Sequence, residues 1–143
     1  MKFTKMQGCG NDYIYFNCFD QYIDNPEGLS LRLSDRHFGI GADGAIFVGP
    51  SDIADAKMRV FNADGSEGKM GGNAICCVGK YLYDNGIVCK DTMEIETSSG
   101  VKTISLIKRN NKVNAVKVNM GKADFTPGAI PVKLPGEMIV DRP

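Results

Sequence analysis

An apolar helix that starts directly out of a glycine-rich loop constrains this chain more than any other feature. From Asn73 to about Asn85, Cys77, Val78, Tyr81 and Leu82 recur at three-to-four spacing and share one face, and Asn85-Gly86 supplies a C-terminal stop. Such a stripe has to be covered, and the rest of the sequence offers mostly strands to cover it. Lys57 to Phe61 alternates with the period of a half-buried strand and stops at the turn-forming run Asn62-Ala63-Asp64-Gly65. Phe3 to Phe19 reads as two short strands around a break from Gly8 to Asp12, and Ala45 to Val48 as another strand behind Gly39-Ile40-Gly41-Ala42-Asp43-Gly44. Met93 to Thr97, Val101 to Ile107 and Val113 to Val118 are separated by Ser98-Ser99-Gly100 and Asn110-Asn111, which predicts consecutive hairpins. A further helix is expected from Pro26 to about Arg36, with Ser30 and Asp35 facing out, although Leu29, Leu31 and Leu33 at every second position also fit a strand. The sequence therefore reads as α+β, many strands around one apolar helix.

With 143 residues and 43% hydrophobic content, the chain can bury one sizeable core. We expect one lobe over residues 1–120, then an extended segment over 121–143 that carries Pro127, Pro131, Pro135 and Pro143. Lys plus Arg and Asp plus Glu balance at 17 each, so no net field draws the chain to nucleic acid or an anionic membrane surface. The N-terminal residues lack an apolar signal region and no apolar run is long enough to span a bilayer, so a cytoplasmic location is expected. Five cysteines, an odd count without CxxC pairing, suggest reduced thiols and no metal site.

Chemistry is most plausibly placed at the start of the apolar helix. The first N–H groups of a helix lack internal partners and sit at the positive end of its dipole, so a carboxylate or phosphate is stabilised there by roughly 0.3–1 kcal/mol from the dipole alone. Gly71 and Gly72 leave room for a ligand to touch the backbone; equally, Asn73 could simply cap the helix while the glycines make a turn. Asn11 could hydrogen-bond a substrate or satisfy its own turn. His37, the only histidine, has no placed partner and reads as structural. Cys76 and Cys77 point about a hundred degrees apart on a helix, and Cys77 falls on the apolar face.

Three segments, Gln7 to Asp12, Asp35 to Gly44 and Asn62 to Tyr83, together with the later Val118-Asn119-Met120-Gly121, resemble the diaminopimelate epimerase family in content and order. The resemblance runs the length of the chain but covers only the N-terminal lobe, since family members continue into a second, similar lobe. It implies a strand-rich, barrel-like lobe wrapped around the central helix. It also implies inversion of one α-carbon of diaminopimelate, in lysine and peptidoglycan precursor synthesis, without metal or cofactor. In the family one cysteine from each lobe works on each face of that carbon, one removing the α-proton and the other returning one. By resemblance, Asn11 and Asn62 hold the substrate's distal or amino groups, and Gly72 and Asn73 give the helix N-terminus that stabilises its carboxylate.

One departure bears on activity. The family motif has Cys immediately before Gly-Asn at the helix entry, whereas this chain has Gly71 before Gly72-Asn73. Cys76, where the family usually carries a larger residue, lies too far along the helix to replace that thiol. The expectation is an N-terminal epimerase lobe that is inactive as it stands, acting on a small amino-acid substrate only when completed by a second lobe. A non-catalytic binding or interaction module and a lobe of a related amino-acid racemase are the alternatives, the second disfavoured by the matched Asn11 and Asn62. Exposed apolar surface could also support a homodimer.

Overall fold

The computed structural model describes residues 1–130. Its strands are β1 (Thr4–Gly8), β2 (Asn11–Asn17), β3 (Gly44–Gly49), β4 (Ala56–Asn62), β5 (Glu67–Gly68), β6 (Thr92–Thr97), β7 (Gly100–Arg109) and β8 (Lys112–Val118). Two helices join them, α1 (Pro26–Ser34) between β2 and β3 and α2 (Gly72–Asp84) between β5 and β6. The strands form one curled, mixed sheet in the order β1-β2-β3-β4-β6-β7-β8, with β5 folded back on β4. Most neighbours are antiparallel; β2 with β3 and β4 with β6 are parallel.

Local chemistry accounts for the hairpins. Cys9 and Gly10 between β1 and β2, and Asn110 and Asn111 between β7 and β8, all adopt positive φ, the conformation that matches a two-residue turn to the twist of its strands. The central helix ends as its Asn-Gly pair predicts. Gly86, at φ 69°, lets the Ile87 N–H reach the Leu82 carbonyl at 2.9 Å while its own N–H reaches Tyr83 at 3.0 Å, which satisfies the last free carbonyls.

Two cores form on opposite faces of the sheet. The inner one seats Ala74, Ile75, Cys77, Val78 and Leu82 of α2 among Tyr15, Ile46, Met58, Met93, Ile95 and Ile104. The outer one packs Leu29 of α1 on Ile14, Phe16, Phe47 and Phe61. The helix reading of 26–36 holds, ending at Ser34, but the expected orientation of Ser30 does not. Ser30 is fully buried, and its hydroxyl donates towards the carbonyls of Phe61 (3.2 Å) and Asn62 (2.9 Å), because α1 lies across the end of β4 and a buried hydroxyl needs an acceptor.

No helix of the described residues is long and apolar enough to cross a membrane. The last strand ends at Val118, and most of the proline-rich segment expected to be extended, residues 131–143, lies outside the described residues.

Candidate functional site

The sheet curls so that the end of β1, the start of β2, the start of β3, the end of β4 and the start of α2 come to one edge of the molecule. Register links the residues: Gly8 pairs with Asn11 across the first hairpin, Tyr13 with Gly44, and Gly44 with Asn62. A Cβ placed on Gly8 would lie 3.1 Å from the Asn73 carbonyl oxygen, so β1 and the first turn of α2 are in direct contact. Tyr15, on β2, donates its hydroxyl to the Ala74 carbonyl at 3.3 Å and fixes that turn from below. Burial is the main cause that pushes the Tyr15 phenol well above its ordinary range, so it stays a neutral donor.

Gly71 is the N-cap of α2. Its carbonyl accepts the Ile75 N–H at 2.9 Å, and no side chain caps the helix. Asn73 is therefore not the cap that its residue type suggested; it lies within the first turn and is exposed. The backbone at Gly71 is extended, φ −121° and ψ 113°, a conformation open to any residue. A side chain there would meet only Ala74, with Cβ to Cβ at 3.1 Å. By contrast, Gly44 has the Phe61 carbonyl oxygen 2.1 Å from where its Cβ would stand, so the strand pairing itself requires glycine there.

Asn11 is half-buried and does not satisfy its own turn: its amide donates to Asp43 Oδ2 at 2.7 Å. Asn62 is exposed, and its amide donates to the Ser66 hydroxyl at 3.0 Å within the turn that leads into β5. An ion cluster flanks both. Arg36 Nη2 reaches Asp12 at 2.8 Å and Asp43 at 2.9 Å, and Lys5 pairs with Asp12 at 2.9 Å. The hydrogen bonds from Arg36 and Lys5 hold the Asp12 carboxyl far below the usual carboxylate range. The sequence reasoning passed over Asp12, Asp43 and Arg36; their only signal was that all three fall inside the segments that carry the family resemblance.

Cys76 and Cys77 lie further along α2 than the helix entry, and His37 lies on its own loop. Burial pushes the Cys77 thiol up, and burial together with the neighbouring Cys77 pushes Cys76 up, so both favour the uncharged form. His37 is exposed on its loop, where its backbone N–H donates to Asp35 at 2.7 Å. Among the described residues no group of three or more His, Cys, Asp or Glu side chains converges as a metal site would require. Nor does the site coincide with the cavity of 510 Å³ on the outer face between Cys18, Tyr22, Phe47 and Arg59, whose lining includes none of Asn11, Asn62 and Gly71 to Asn73.

Comparison with known proteins identifies relatives of the whole chain. The chain is 54% identical over 132 residues to the diaminopimelate epimerase of Agathobacter rectalis, a match covering 92% of this chain and 46% of that protein. It is 49% identical to that of Acetivibrio thermocellus over all of this chain and 51% of the other. This chain thus spans about half the length of these relatives. Among solved structures, a probable proline racemase from Agrobacterium radiobacter superposes with a TM-score of 0.66 at 17% identity, covering 81% of this chain and 40% of that one. A PhzF-family phenazine biosynthesis protein from Bacillus anthracis gives 0.61 at 19% identity, covering 81% and 38%. At those identities the likeness is one of fold. The sequence profile of diaminopimelate epimerase matches residues 3–126, and with relatives near 50% identity along nearly the whole chain, the protein belongs to the diaminopimelate epimerase family.

Proposed function

We propose that this chain is the N-terminal lobe of a cofactor-independent diaminopimelate epimerase, and that position 71 is the place of the lobe's acid/base thiol. The observation that carries the proposal is the setting of Gly71: it caps α2 in extended backbone, where the unpaired N–H groups begin, at the edge that also holds Asn11 and Asn62. Nothing in the backbone calls for glycine there, so the position reads as one from which a side chain has been lost.

The chemistry follows from that edge. Removing the α-proton of an amino acid leaves charge that spreads into its carboxylate, and the N–H groups of Gly72 and Asn73 are oriented to receive it. Asn11 and Asn62 contact the substrate's amino or distal groups. Inversion needs a second group on the opposite face, because a single base returns the proton to the side it came from. A cysteine at position 71 would have its pKa lowered by the helix N-terminus and act as one of the pair. With Gly71 this face has no group to move a proton, and the lobe as it stands does not turn over.

The test follows conversion of LL-diaminopimelate to the meso isomer in deuterated water by NMR, with the chain mixed with the C-terminal lobe of a relative. The native chain is expected to give no inversion, since the second lobe's thiol alone exchanges a proton only with retention, and Gly71→Cys to gain inversion by at least roughly a hundredfold over background, the usual scale of a placed acid/base. Inversion by the native chain would remove position 71 from the mechanism, and no inversion by the complemented variant would argue against an epimerase lobe. The absent thiol also favours a second reading, a lobe that binds ligand or partner without turnover. In that case ligand-induced shifts would appear at Asn11 and Asn62 while the complemented Gly71→Cys variant stays inactive.

A further inference from the structure

We propose that Asp43 is a positioning residue that fixes the side-chain amide of Asn11, leaving Asn11 Oδ1 as the face offered to a ligand; this rests on Asn11 contacting substrate as proposed above. Asp43 stands just ahead of β3, and three donors meet its carboxylate: Asn11 Nδ2 at 2.7 Å and the Asp12 N–H at 3.1 Å on one oxygen, Arg36 Nη2 at 2.9 Å on the other. Its backbone is tied on both sides, the N–H donating to Asp12 at 2.8 Å and the carbonyl accepting from Ala63 at 3.1 Å. Asp43 thus joins the segment of Asn11 to the turn beyond Asn62.

Polarity is set by chemistry. A carboxylate only accepts hydrogen bonds, so the Asn11 amide must present nitrogen to Asp43 and turn its oxygen away. An Asn11 held this way accepts from a donor such as an ammonium group. Its Oδ1 does not bind a carboxylate, which is left to the N–H groups of α2. The charge pair contributes little by itself, because the side chains of Arg36 and Asp43 are 56% and 40% exposed and a pair so open to solvent is screened. The orientation of Asn11 is what depends on Asp43.

The experiment measures hydrogen exchange of the side-chain amides in the isotopically labelled, unliganded chain, with the Asn11 signals identified by their loss in Asn11→Ala. Asn11 is expected to exchange roughly tenfold more slowly than the exposed Asn114, the scale of one net hydrogen bond. Asp43→Ala should abolish that protection. Asp43→Asn should keep it through its remaining carbonyl oxygen, and Arg36→Ala should leave it within about twofold, since neither removes the acceptor. Unchanged protection in Asp43→Ala overturns the proposal, as does a loss in Arg36→Ala equal to that in Asp43→Ala, which would mark general loosening of the cluster. Should Asp43→Ala fail to fold, the other two variants decide: protection kept in both supports the role, and loss in either overturns it. No substrate enters the measurement, so a protected Asn11 in a chain whose complemented Gly71→Cys variant gives no inversion would count against the epimerase reading and leave the orientation standing.

Discussion

The two halves of the sheet are built to different rules. Strands β2 and β3 and the Phe61 end of β4 are covered on both faces, by α2 inside and α1 outside, whereas the rest of β4 and β6 to β8 bury one face and turn the other to solvent. Along β3 every residue from Gly44 to Gly49 is buried and the period-two pattern vanishes; along β6 buried and open positions alternate. Asn11 and Asn62 of the candidate site sit at the ends of these strands, where packing on both faces restrains the backbone. The carboxylate-binding edge and the fixed Asn11 proposed above would need that rigidity.

The sharpest way to break the contrast is to empty one outer-face position. Phe61 is fully buried and meets the Phe47 ring edge-on at 5.4 Å, so Phe61→Ala should cost about 3–5 kcal/mol in urea unfolding. A cost near 1 kcal/mol would mean that α1 covers the sheet only loosely. Glycines give the next test: Gly44→Ala, driven against the Phe61 carbonyl, should cost at least about 1–3 kcal/mol, while Gly71→Ala, in extended backbone, should stay within about 1 kcal/mol. Equal costs would remove the distinction between a glycine that the pairing requires and one that it does not.

Acid probes the ion cluster beside the site. Because the Asp12 carboxyl is depressed by Arg36 and Lys5, the stability it adds is complete above the ordinary carboxylate range and is lost as pH falls through its lowered folded value. The stability difference between the native chain and Asp12→Asn should therefore shrink steadily from about pH 5 to about pH 2. A difference that does not change with pH would show that Asp12 acts through something other than its charge. The smallest effect belongs to the open face: Ile107→Ser, at a residue 56% exposed on β7, should change stability by no more than about 0.5 kcal/mol. A loss several times larger would reveal that this face is covered in solution.

What could be read from the sequence divides along the same line. Hairpins and the central helix were legible because their signals are local: alternation, Asn-Asn and Asn-Gly turns, a three-to-four stripe. The burial of Ser30, the need for glycine at 44 and the bond from Asn11 to Asp43 were not, because each joins segments far apart in the chain. At the site the sequence identified Gly71, Gly72 and Asn73 as the helix entry but left open whether Asn73 caps it, because residue preference favours Asn and only the backbone places the cap at Gly71. Asp43 was hidden for a similar reason, as an aspartate in the glycine-rich run Gly39 to Gly44 reads as turn chemistry until Asn11 is brought beside it.

The parallel pairs carry one more consequence, concerning chirality. From β2 to β3 and from β4 to β6 the chain passes through a helix and advances the same way across the sheet, but between the two steps its direction reverses, since β3 and β4 run antiparallel. A crossover of one fixed hand, taken once upward and once downward, must leave its helices on opposite sides. Enclosure of the central strands is thus one handed preference applied twice, and a mirror-image connection at either step would stack both helices on one face and leave the other bare.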